Sequence, residues 1–153
     1  MIDHMGFRVR DLAASRRFYD ACAKALNLAT MDNTEDSFLL GRSAKEPLPF
    51  IWIGTTFPAF WTAAHVTSLS PIHLALRAED RATVDGFYRA ALAAGGTDNG
   101  APGLRGPAEM KYYAAFVLDP DGNNIEAVFH GPSTRSTDAV RIEAVQVRPD
   151  TDS

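Results

Sequence analysis

The chain has 153 residues, 46% of them hydrophobic and 22% charged, with a formal net charge of −4. That is enough for one compact domain, and it gives no general pull toward nucleic acid or an anionic membrane. Basic residues are scattered, no apolar run is long enough to span a bilayer, and Asp3 and His4 follow Met1-Ile2 directly, unlike a secretory leader. Cys22 is the only cysteine, so no internal disulfide forms and a reducing cytoplasm is the expected location.

Residues 2–9 alternate: Met5, Phe7 and Val9 take one face, and His4, Gly6 and Arg8 the other. Period-two alternation predicts a half-buried strand. Asp11 can cap the following helix, where Leu12, Phe18, Tyr19, Cys22 and Leu26 make an apolar stripe. Residues 37–40 and 50–53 read as strands, separated by a loop with Gly41, Pro47 and Pro49.

The same order then returns. A constant offset pairs His4 with His73, Arg8 with Arg77, Asp11 with Asp80, Phe18 with Phe87 and Tyr19 with Tyr88. Chance would give only about one or two such identities, so a duplicated unit is the better explanation. The second copy has a strand over 72–78, a cap at Asp80 and a helix over 81–94 ended by Gly95-Gly96. Strands over 112–118 and 124–129 follow, joined by the turn Asp119-Pro120-Asp121-Gly122-Asn123. Two stretches, 54–70 with Phe57, Phe60, Trp61 and His65, and 96–111 with its glycines and prolines, are either lids or surface loops. The polar tail 132–153 has alternation over 139–147 that would suit a late strand or a partner-binding segment.

Alternation places His4 and His73 on the sheet face that the helices do not cover. The apolar set Ile125, Ala127 and Phe129 turns Glu126 to that same face. Two imidazoles and a carboxylate suit Fe, Mn, Zn, Ni or Co as a divalent ion, with positions left for substrate. Each of these residues alone is more often a polar strand-end side chain. Arg8 and Arg77 share the register of the histidines; one can bind an anionic substrate group, or each can pair with a nearby carboxylate, and pairing is the favoured reading. Of Tyr112 and Tyr113, adjacent on a strand, one must face the hollow and offer a phenol for acid–base work. His130 reads as a solvated strand end and Cys22 as a small core residue.

His4 with Val9-Arg10-Asp11-Leu12 and Phe18-Tyr19, Pro71-Ile72-His73-Leu74-Ala75, and the stretch from Tyr112-Tyr113 through Asp119-Pro120-Asp121-Gly122-Asn123-Asn124-Ile125-Glu126 carry a resemblance. Over most of residues 2–131 the chain resembles the vicinal oxygen chelate superfamily of glyoxalase I, bleomycin-resistance proteins and extradiol dioxygenases. The resemblance implies an α+β fold: two βαβββ modules, 2–53 and 71–131, linked by 54–70 into one domain (1–131) with a cupped mixed sheet. It implies one divalent metal ion on His4, His73 and Glu126, which binds a small substrate through neighbouring oxygens as a Lewis acid. A homodimer is expected by the same analogy. One departure stands out. Glyoxalase I-like members take a further Glu from the last strand of the first module, where this chain has Phe50-Ile51-Trp52-Ile53. An indole can neither ligate a metal nor abstract a proton, so a two-glutamate reaction is in doubt. Trp52 and Phe50 would instead wall the pocket. Two functions remain open: a metal-dependent enzyme of the glyoxalase or dioxygenase type, and a non-catalytic ligand-sequestering protein of the bleomycin-resistance type.

Overall fold

The computed structural model describes residues 3–46, 48–56, 71–106 and 111–131. Phe57, Phe60, Trp61, His65 and the tail with its expected strand over 139–147 lie outside them. The first half runs β1 (His4–Arg8), α1 (Leu12–Ala25), β2 (Ala29–Thr34), β3 (Ser37–Gly41) and β4 (Phe50–Gly54). The second half runs β5 (His73–Arg77), α2 (Arg81–Ala93), β6 (Thr97–Arg105), β7 (Tyr112–Leu118) and β8 (Asn124–His130). These form two four-stranded mixed sheets, ordered β1-β4-β3-β2 and β5-β8-β7-β6. Each is a βαβββ module, and the α+β expectation holds.

Two strands go beyond the sequence reading. Residues 97–105, expected as part of a loop, form β6 along β7, with register shifts at Gly100 and Gly103. Glycine and proline depress strand propensity, but pairing to β7 and the bulges absorb them. Residues 29–34 pair with β3 as β2 although their alternation is weak.

Both helices begin as their caps require. Asp11 accepts from the Ala14 amide (2.9 Å) and Asp80 from the Thr83 amide (2.7 Å), each contribution being about 1 kcal/mol. The duplicated phenylalanines, Phe18 and Phe87, are fully buried in one core that takes one face of each sheet and the inner faces of both helices. The glycine pair after α2 divides its work. Gly95 has the left-handed φ of 98°, while a Cβ on Gly96 would fall 2.5 Å from Val117 Cγ1 and 2.7 Å from Phe18 Cε2.

The turn 119–123 locks the modules together. Its buried Asp119 accepts from Tyr19 Oη at 2.7 Å through Oδ2, and from the Asp121 and Asn123 amides through Oδ1. Asp121 takes the Arg10 amide (3.0 Å) and Arg10 Nε (2.7 Å). A segment expected only to join two strands thus braces the start of α1.

Burial pushes the Tyr19 phenol far above its usual range and, with help from the Asp119 charge, the Cys22 thiol up to about 12. A raised folded-state pKa favours the native state below the unfolded pKa, and that gain is lost as pH rises toward the folded value. Unfolding free energy measured in urea should therefore be flat from pH 7 to about 8.5, then fall above about pH 9, where an unfolded thiol ionises first. Cys22→Ala should flatten the decline between about pH 9 and 10. An unchanged slope there would remove the thiol from the account.

Candidate small-molecule site

Each sheet buries one face and leaves the other outside the core. In the first sheet, pairing sets His4 opposite Phe50, Gly6 opposite Trp52 and Arg8 opposite Gly54. In the second it sets His73 opposite Asn124, Ala75 opposite Glu126 and Arg77 opposite Val128. The two registers coincide, so Trp52 is the positional counterpart of Glu126, as the sequence predicts.

On the second sheet the open face carries a connected polar network. Asn99 Nδ2 donates to Asn124 Oδ1 (3.2 Å), and Asn124 Nδ2 lies 3.0 Å from His73 Nδ1. Because Asn124 uses its oxygen for Asn99, its amide nitrogen donates to His73 Nδ1. His73 Nδ1 then bears no proton, so Nε2 carries it toward Glu126 Oε2, 3.1 Å away. The other carboxylate oxygen, Oε1, accepts from Tyr112 Oη. Glu126 is 2% exposed, whereas the His73 side chain is 53% exposed. The cluster therefore offers an accessible imidazole backed by a buried acid. Burial, then the bond to Glu126, pushes the Tyr112 phenol up to about 12, which keeps it a proton donor at neutral pH.

Of the two tyrosines, Tyr112 faces this network, while Tyr113 packs on the helix side and donates to Asp85 of α2 at 2.9 Å. Arg77 lies at the far end of β5, exposed and without a carboxylate partner among the described residues; the pairing favoured for it does not form there. Arg8 donates through Nε to the Thr55 carbonyl at 3.0 Å.

The first sheet's open face has a different character. His4 stacks on Phe50 with centroids 5.1 Å apart, and its Nδ1 meets Asp3 at 2.7 Å. The Trp52 indole spreads over two glycines. A Cβ on Gly54 would lie 2.4 Å from Cζ2, and one on Gly6 would lie 3.3 Å from Cε3. At Gly54 no side chain fits beneath the ring, and at Gly6 a methyl would press it by a few tenths of an ångström. The result is an aromatic platform.

His4 does not join His73 and Glu126 within one chain. Among the described residues no group of three or more His, Cys, Asp or Glu side chains could hold a metal ion. One chain thus supplies a nitrogen and an oxygen donor side by side, which is part of a divalent site and not a closed set.

The sequence reading missed Asn99, Asn124, Phe116 and His130 as members of this face. Asn124 and His130 share the period-two phase of Glu126, which was a usable signal. His130 stacks on Tyr112 at 5.0 Å and Phe116 flanks His73 at 6.4 Å. Asn99 was hidden in a stretch read as loop.

The family model for the Glyoxalase/Bleomycin resistance protein/Dioxygenase superfamily matches residues 1–127. A glyoxalase/bleomycin resistance protein from Albidiferax ferrireducens T118 is 30% identical, with 84% of this chain and 97% of that one covered at a TM-score of 0.63. A glyoxalase/bleomycin resistance protein/dioxygenase family enzyme from Burkholderia phytofirmans PsJN is 20% identical, covering 82% and 95%, with a TM-score of 0.64. Lactoylglutathione lyase from Agrobacterium tumefaciens is 18% identical, covering 84% and 92%, with a TM-score of 0.58. At those last two identities the likeness is one of fold. No curated protein matches the chain.

Proposed function

This chain belongs to the Glyoxalase/Bleomycin resistance protein/Dioxygenase superfamily, and on that footing we propose that it is a metal-dependent enzyme of the glyoxalase or dioxygenase type, acting on a small substrate with adjacent oxygens. The observation that carries the reading is the His73–Glu126–Tyr112 cluster: an exposed imidazole 3.1 Å from a buried carboxylate, which in turn accepts a hydrogen bond from a phenol. His73 and Glu126 of one protomer, with His4 of a second, would hold the ion, so the working form is a homodimer. The expected setting is the cytoplasm, consistent with a single cysteine that is buried and free. When bound, the ion supplies Lewis-acid stabilisation of negative charge on substrate oxygen. The protein's own part is proton handling: Tyr112 holds a proton beside Glu126, and metal binding would displace the proton that His73 Nε2 otherwise carries beside the same carboxylate.

Metal analysis tests this directly. Protein offered Fe, Mn, Zn, Ni and Co should retain about one ion per chain. His73→Ala and His4→Ala should each lose it, and a monomeric preparation should not hold it. Retention by His4→Ala would refute the shared site.

The Trp52 platform favours a second reading, a ligand-sequestering protein of the bleomycin-resistance type. There the protein stays metal-free and binds planar aromatic compounds with quenched tryptophan fluorescence. Gly54→Ala, which drives a methyl into the indole, would abolish that quenching.

A further inference from the structure

On the same face, Arg105 occupies a prepared position. It pairs with Tyr112 across β6 and β7, and its guanidinium carbon lies 5.6 Å from the centroid of the Phe116 ring. That ring also flanks His73, with centroids 6.4 Å apart. Two glycines clear the ground beneath it. A Cβ on Gly103 would come within 3.2 Å of Arg105 Nη1, and one on Gly100 within 3.0 Å of Phe116 Cδ2 and 3.5 Å of Arg105 Nη2. The guanidinium thus lies along the strand over an aromatic ring, tethered by a bond from Nη2 to the Ala101 carbonyl.

We propose that Arg105 is a specificity-determining residue that receives an oxyanion of the substrate, a carboxylate or a phosphate, while the substrate's reacting end meets His73 and Glu126. The proposal rests on the reading of this face as the substrate site. Three observations support it. Arg10, Arg16 and Arg42 each form an ion pair with an Asp or Glu, whereas Arg105 forms none among the described residues. A guanidinium has five N–H donors, and one tether to a carbonyl leaves most of them for a ligand. Held over an aromatic ring and weakly hydrated, it presents a planar fork, which suits a two-oxygen acceptor. The same face is acidic at Glu126, so the substrate would be oriented: oxyanion over Phe116, uncharged oxygens toward His73.

Nuclear magnetic resonance titration of the full chain tests the proposal, with acetate, inorganic phosphate and neutral acetamide as probes. Acetate and phosphate should shift the Arg105 Nε–Hε signal and the Phe116 ring signals, and acetamide should not. The tighter of the two anions identifies the substrate group. Arg105→Gln should weaken anion binding about tenfold or more, and Arg105→Lys should recover part of it. Glu126→Gln should retain the response, which separates this proposal from the assignment of the reacting centre: loss of turnover without loss of anion binding leaves Arg105 in place. Equal anion affinity in Arg105→Gln, or shifts centred on Arg77, would overturn the proposal.

Discussion

Asp119→Ala is expected to cost about 4 kcal/mol or more of unfolding free energy, enough to leave much of the protein unfolded near physiological temperature. The carboxylate is 4% exposed. It satisfies four donors: Tyr19 Oη, the amides of Asp121 and Asn123, and Asn123 Nδ2 at 2.9 Å. Alanine would strand them with no replacement. Each buried unsatisfied group costs about 1–3 kcal/mol, and water entering the gap would recover only part of that. Urea denaturation checks the value, with Arg10→Ala as the contrast. The Arg10 side chain is 79% exposed in its ion pair with Asp121, so its removal should barely move the midpoint. An Asp119→Ala protein as stable as wild type would show that the brace between modules is dispensable.

Glu126→Gln is expected to lower kcat/KM by about 10³-fold or more while leaving the fold intact. The carboxylate accepts from Tyr112 Oη and lies 3.1 Å from a second N–H donor, His73 Nε2. A carboxamide accepts on one side only, and its NH2 group would point at one of those donors. One arm of the network must break. If it is the histidine arm, the ring proton moves and the Asn124 contact reverses. Steady-state kinetics reads the loss of rate, and ¹⁵N resonances of the His73 ring read the tautomer. Unchanged kinetics would remove Glu126 from the chemistry.

The sequence disclosed the fold because its two strongest signals are physical requirements. Strand alternation and capping aspartates specify β1, α1, β5 and α2, and duplicated burial at Phe18 and Phe87 confirms that the halves use one plan. What it concealed has equally definite causes. Strand β6 owes its pairing to β7, and no local propensity in a stretch with Gly100, Pro102 and Gly103 announces it. The site was half legible. Period two gave the shared face of His73 and Glu126 and narrowed the tyrosines to one of two. Only the three-dimensional register selected Tyr112, Asn124 carried a period-two signal that went unused, and only side-chain geometry brought in Arg105. The separation of His4 from His73 within a chain was invisible, because alternation assigns a residue to a face and says nothing about how two faces are turned.

Matching registers in the two halves also set what a single exchange at position 52 can do. Position 126 carries a buried acid, while its counterpart, position 52, carries an indole over the bare backbone of Gly6 and Gly54. Trp52→Glu alone would therefore set the new acid beside an empty trough where the ring had lain. Giving the first sheet the character of the second would require at least those three positions to change in concert.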